Sequence, residues 1–174
     1  MKSYTSHYRS PLGNIALATD GTALTALWFE DRIQVSFPTS ESLHTATDDL
    51  PIVTEVCRWL DIYFDGRVPD FTPPLLLHGS EFRLKVWHEL LTIPYGHTLT
   101  YGSLARRIGC RSPQAVGGAV GHNPIALIVP CHRVVGAGGA LTGYAAGLGR
   151  KAALLNMEAD KQSICKEPIK CHRT

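Results

Sequence analysis

Residues 128–135 read Ile-Val-Pro-Cys-His-Arg-Val-Val, an apolar run that delivers Cys131 to a Pro-Cys turn with a histidine and an arginine directly behind it. Buried cysteines without such company are inert small hydrophobes, whereas a thiol beside cations is a candidate nucleophile, because positive charge favours the thiolate. Consecutive side chains on an extended segment point to opposite faces, so His132 is not expected to touch the sulfur directly. A bridging water, or a tight turn that bends the backbone back, would let it take the thiol proton. The plain alternative is a core histidine satisfied by a backbone carbonyl.

The elements that must position this octapeptide are legible on both sides of it. Strands near 3–9, 14–18 and 23–29, with turns at Ser10-Pro11-Leu12-Gly13 and Asp20-Gly21, predict a small antiparallel meander. Residues 37–50 are polar and acidic and read as a loop. Val53, Val56, Leu60 and Tyr63/Phe64 recur at helical spacing up to Gly66, a helix stop. No catalytic cluster is visible in this part, which reads as a scaffold, and residues 67–79, with three prolines, read as a linker. Ser80 can cap a helix whose Phe82, Val86, Trp87, Leu90 and Leu91 form an apolar stripe. Thr100 and Ser112 can cap two short helices joined around Gly109, the outline of a helix-turn-helix. The second, Gln114 to Gly121, has no Arg or Lys and little bulk, so it suits close packing, or a backbone approach to a narrow groove, better than base-edge reading.

Thr100-Tyr101-Gly102, Ala115-Val116-Gly117-Gly118-Ala119, Asn123-Pro124, Pro130-Cys131-His132-Arg133-Val134, Thr142-Gly143-Tyr144 and Glu158 occur in that order. This set, spanning about residues 80–159, resembles the O6-alkylguanine-DNA alkyltransferases, also called methylated-DNA–protein-cysteine methyltransferases. The resemblance implies an α/β fold of the α+β kind: an amino-terminal antiparallel-sheet domain, ribonuclease H-like, over 1–75, then a mainly helical catalytic domain with a helix-turn-helix over 76–160. Residues 161–174 are expected to be a mobile, non-catalytic tail, although Cys171-His172-Arg173 repeats part of the motif.

By the same resemblance, Cys131 accepts an alkyl group from O6 of guanine in double-stranded DNA, irreversibly and without a cofactor or metal, with O4 of thymine an open second substrate. His132, through water and Glu158, draws off the thiol proton. Tyr101 donates to guanine N3, and Asn123 links the helix-turn-helix to the active-site segment. Gln114, Ala115 and Gly118 lie on the helix that enters the minor groove. Arg133 braces the turn and, with Val134, flanks the substrate. Tyr144, Ala145 and Gly147 belong to the substrate loop, and Lys151 lies near the site. Gln114 stands where many members carry an arginine that fills the space left by a flipped base, and Ala145 stands where serine is frequent. The protein is expected to act as a monomer.

Composition is compatible with this reading. The chain has 174 residues, 44% hydrophobic and 18% charged, which excludes a disordered polymer. Five cysteines form no Cys-x-x-Cys pair, and with no apolar leader in residues 1–7 a reducing cytoplasmic setting is expected, or a nucleus in a eukaryote. Net charge is −5 over residues 1–75 and +7 over 76–174, a basic half fit for a polyanion. Competing readings are an alkylated-DNA binder without repair, which should lack the cysteine, a helix-turn-helix regulator, which should carry polar recognition residues, and a Cys-His hydrolase, which should have a histidine remote in sequence.

Overall fold

The structure, a computed structural model, describes residues 3–31, 43–45 and 50–164. Three strands follow the expected alternation closely: β1 (Ser3–Ser10), β2 (Gly13–Thr19) and β3 (Leu24–Phe29) pair antiparallel, Ser10↔Gly13 closing the first hairpin. Gly13 adopts φ +120°, and the Arg150 guanidinium sits 2.8 Å from where a β-carbon would be, so the position needs glycine twice over. A short β4 (Leu43–Thr45) pairs parallel with β1, giving the order β3-β2-β1-β4. A strand thus occurs inside the acidic stretch read as a loop; residues 46–49 and most of the rest of that stretch lie outside the described residues, as does the tail beyond Ile164 with Cys165 and Cys171.

Helix α1 (Pro51–Phe64) starts with proline at its first position and buries Ile52, Val53, Val56, Trp59, Leu60 and Tyr63. Gly66 at φ +69° lets the chain reverse, its N–H donating to the Tyr63 carbonyl.

The outer edge of β3 is not left bare. Leu24 N–H donates to the Pro74 carbonyl and the Leu24 carbonyl accepts from Leu76 N–H, while Leu27 N–H donates to the Pro124 carbonyl and the Leu27 carbonyl accepts from Ala126 N–H. The expected linker therefore continues the sheet, and so does the segment that leads to Cys131. Each satisfies edge groups of β3 that burial would otherwise strand. One apolar core runs from Ile15 and Leu27 to Val116 and Leu154.

Helix α2 (Glu81–Leu90) is capped by Ser80, which accepts from Arg83 N–H. Its stripe is narrower than expected: Val86, Trp87 and Leu90 are buried, whereas Phe82 and Leu91 lie at the two ends of the helix, 37% and 38% exposed. After β5 (Leu99–Thr100), α3 (Tyr101–Arg107) and α4 (Pro113–Gly121) are capped by Thr100 and Ser112 as expected, with Gly109 in the left-handed region between them. Trp87 Nε1 donates to the Ala119 carbonyl, holding α2 on α4. Helix α5 (Leu148–Ile164) carries Glu158 within it, and residues 161–164, expected to belong to the tail, continue it.

Candidate active site

The approach to Cys131 is not the extended strand expected from its apolar residues. Leu127 is fully buried with φ +68°, a conformation that favours glycine and is held here by packing. Ile128 N–H and Cys131 N–H each donate two residues back, to Ala126 and Val129, and Cys131–Arg133 form a single 3-10 turn. Asn123 locks this path. Its Oδ1 accepts from Ile125 N–H, while its Nδ2 donates to the Val129 carbonyl at 2.8 Å and reaches the Cys131 sulfur at 3.1 Å. After the turn, β6 (Val134–Val135) pairs with β5, tying the cysteine to the start of α3.

The tight turn sends His132 and Arg133 inward toward Glu158. His132 Nε2 lies 2.8 Å from Glu158 Oε1, and both side chains are completely buried. Arg133 donates from Nε to Oε2 at 2.9 Å and from Nη2 to Oε1 at 3.0 Å, and its Nη1 bonds the Ile93 carbonyl. Gly96 N–H donates to Oε2 at 3.0 Å, and the Tyr63 hydroxyl donates to Oε1 at 2.8 Å. Burial alone would raise the Glu158 carboxyl, but hydrogen bonding and charge from His132 and then Arg133 outweigh it and bring it down to about 2. An ionised carboxylate accepts only, so the hydrogen in the His132–Glu158 bond belongs to Nε2. Neutral His132 therefore presents a bare Nδ1 lone pair, and Nδ1 is buried with no protein partner. Burial lowers the pKa of His132, with Glu158 pulling partly against it.

Burial likewise pushes the Cys131 thiol up, opposed by the Asn123 hydrogen bond and then by the charge of Lys151. Burial thus favours the neutral thiol, the form from which a base must take the proton. The cation it feels is Lys151, because the Arg133 guanidinium is spent on Glu158 and Ile93. Arg133 braces the turn as expected, but it is buried and does not line a substrate surface. Val134 too is fully buried and offers its carbonyl to the Lys151 ammonium, which also bonds the Thr142 carbonyl.

A narrow cleft, partly open to solvent, lies over the sulfur, lined by Cys131, Asn123, Ala126, Tyr144 and Ala145 among others. Trp28 and Phe29 of β3 also line it. The Tyr144 hydroxyl is buried without a partner, and burial, then the nearby Cys131, raises its pKa. Ala145 is exposed, and Gly147, at φ +95°, starts α5 by accepting from Lys151 N–H. Among the described residues no group of three metal-ligating side chains occurs.

Residues 81–160 match the family model described as 6-O-methylguanine DNA methyltransferase, DNA binding domain, and residues 3–77 match its ribonuclease-like domain. This chain belongs to the 6-O-methylguanine DNA methyltransferase family. The methylated-DNA–protein-cysteine methyltransferase of Mycobacterium bovis is 45% identical over 160 residues, covering 89% of this chain and 93% of the relative. That of Methanosarcina acetivorans is 42% identical, covering 89% and 97%. The crystal structure of Mycobacterium tuberculosis OGT in complex with DNA superposes with a TM-score of 0.81 at 41% identity, over 91% of this chain and 94% of that one.

Of the residues expected to face DNA, those on α4, Gln114, Ala115 and Gly118, are exposed. A β-carbon at Gly118 or Gly121 would meet nothing within 4 Å, a bare helix face. Arg111 is exposed just before the helix. Tyr101 sits between α4 and the substrate loop: its ring is 3.8 Å from a β-carbon built on Gly117, and its hydroxyl donates to the Gly143 carbonyl at 3.1 Å. The surroundings of Glu158 also include groups the sequence reading missed. Tyr63 was read as core by its helical spacing, which is correct for the ring and silent about the hydroxyl; Gly96 acts through a backbone N–H that no side-chain pattern reports.

Proposed function

We infer that this protein repairs double-stranded DNA by transferring an alkyl group from O6 of guanine to its own Cys131. Family membership supports the activity, and one geometric observation supports the assignment of the atoms. Cys131 opens into the cleft, held by Asn123, while its neighbour His132 keeps a buried, unpaired basic nitrogen through its bond to an ionised carboxylate.

In this reading, His132 Nδ1 takes the thiol proton through a water, and Glu158 stabilises the resulting imidazolium. The Cys131 sulfur attacks the alkyl carbon, forming the C–S bond while the C–O6 bond breaks. The electron pair leaves with guanine, which is neutralised by a proton that Tyr101 delivers toward N3. Lys151 lends positive charge while the sulfur is anionic. The guanine must leave the stack, since a groove-bound side chain cannot place sulfur in line with the O6 substituent. Helix α4 supports this by lying against the minor groove through its bare face, with Gln114 filling the gap. Residues 1–75 act as scaffold and 76–160 as the catalytic, DNA-binding unit, in a monomer. O4-alkylthymine presents the same alkyl–oxygen bond and enters the test as a second substrate.

The test is intact-mass analysis after incubation with a duplex containing O6-methylguanine or O4-methylthymine, followed by peptide mapping. The expected result is one added methyl, on Cys131. Methylation of Cys57, Cys110, Cys165 or Cys171 instead would overturn the assignment.

A further inference from the structure

We propose that Tyr63, on the amino-terminal helix α1, is a positioning residue for the chemistry of Cys131: its hydroxyl, shared between Glu158 and His132, sets how strongly the carboxylate holds the histidine. The proposal rests on the reading of His132 as the base. Tyr63 lies 95 residues from Glu158 in sequence, yet its hydroxyl donates to Oε1 at 2.8 Å and lies 3.3 Å from His132 Nε2. Its ring is fully buried and fixed by stacking on Trp59, by edge contacts with Phe64 and Tyr95, and by an edge contact with the His132 ring at 6.4 Å.

The geometry leaves the hydroxyl one role. Glu158 Oε1 receives hydrogens from His132 Nε2, from Arg133 Nη2 and from Tyr63. Nε2 carries its own hydrogen toward Glu158, so the tyrosine hydrogen also goes to the carboxylate. Donors that share one oxygen compete, and each weakens the others' bonds by drawing on the same charge. Tyr63 thereby moderates the Glu158–His132 bond. Without it, Glu158 would stabilise the imidazolium more strongly, and His132 would hold a proton to higher pH, where it is useless as a base. Burial, followed by the charge of Glu158, pushes the Tyr63 hydroxyl above its ordinary range, so it stays a neutral donor throughout.

The other groups facing this pair come from every packed element. Arg133 lies on the turn itself, Lys151 and Glu158 on α5, Tyr144 on the substrate loop with its ring 6.4 Å from His132, and Tyr95 at the end of the loop after α2. All of these groups are the same in the Tyr63 variants, so comparing the variants isolates the effect of the hydroxyl on His132.

The experiment titrates His132 by NMR through its ring Cε1–H in the unreacted full-length protein, without DNA, and in parallel records the pH dependence of methyl transfer. Tyr63→Phe keeps the ring packing and removes only the hydroxyl. It should raise the His132 pKa by roughly half to one unit and move the acid limb of the transfer profile up by the same amount, because a hydrogen bond to the carboxylate is lost and its charge is left more fully to His132. Replacing Tyr63 with 3,5-difluorotyrosine, a stronger donor of nearly the same shape, should move both in the opposite direction. An unchanged His132 titration in both variants, or a uniform loss of rate at every pH without a shift, would overturn the proposal. Absence of transfer in the unaltered protein would instead contradict the repair reading, and the NMR titration still decides the role of Tyr63.

Discussion

The two halves of this molecule carry opposite charge and contribute in different ways to one site. The amino-terminal sheet and α1, at −5, supply no nucleophile and no base, but they contribute Trp28 and Phe29 to the cleft wall and the Tyr63 hydroxyl to Glu158. In the proposed function, the carboxy-terminal half, at +7, supplies every reacting group and the helix that meets DNA. Bonds between them run from Leu27 to Pro124 and Ala126, just after Asn123, and from Arg150 to Leu12 and Asp31. A scaffold that only supported the fold would touch the other half through apolar packing. Polar contacts aimed at the catalytic carboxylate indicate that the division of labour is incomplete, and substitutions in each half should reveal how far.

The largest effect is expected where the comparison is sharpest. Cys131→Ala should abolish methyl transfer while retaining duplex binding, measured by gel shift; loss of binding as well would mean the cysteine holds the DNA-facing helix in place. His132→Ala and Glu158→Gln should each slow transfer by about 10²–10⁴-fold in single-turnover kinetics, the range for losing a general base or its orienter. Glu158→Gln should also destabilise the fold by about 3 kcal/mol in urea unfolding, because Arg133 would be left as a buried, unpaired cation. A folded-state carboxyl held at about 2 contributes stability that is fully present above its ordinary pKa near 4.5 and lost as pH falls toward 2. Glu158→Gln should therefore flatten the acid side of the stability profile over that window; an unchanged profile would remove Glu158 as the source.

Smaller effects fall on the DNA-facing side. If Gln114 occupies the vacancy left by the flipped base, Gln114→Ala should slow reaction on duplex DNA severalfold more than reaction with free O6-methylguanine. Equal losses on both would assign Gln114 to the fold. Gln114→Arg should tighten duplex binding and steepen the dependence of log K on log salt by about 0.9, one phosphate contact.

Local signals were read correctly where they are local. Ser80, Thr100 and Ser112 cap the helices they precede, and Gly66 and Gly109 follow the ends of α1 and α3, because capping needs only neighbours along the chain. The ordered motif set that includes Cys131, His132 and Glu158 points to groups that the structure brings to one place. The segments at Leu75 and Ile125 that complete the β3 edge were not visible, since pairing between distant segments leaves no periodicity. Leu127 hides its strained backbone behind an apolar side chain that suggests a strand. Lys151 looked like a surface lysine, but the carbonyls of Val134 and Thr142 satisfy its ammonium in the interior, a solution that depends on loop geometry.

The central claim is that Cys131 is consumed as it repairs, because a thioether offers no easy hydrolytic exit. It is tested most directly by mixing the protein with a tenfold molar excess of methylated duplex and following release of the methyl label from DNA to its plateau. The account predicts a plateau at one methyl per protein chain, unchanged on longer incubation. Continued release beyond that ratio would contradict it, because a sulfur that regenerates is a catalyst of a different kind.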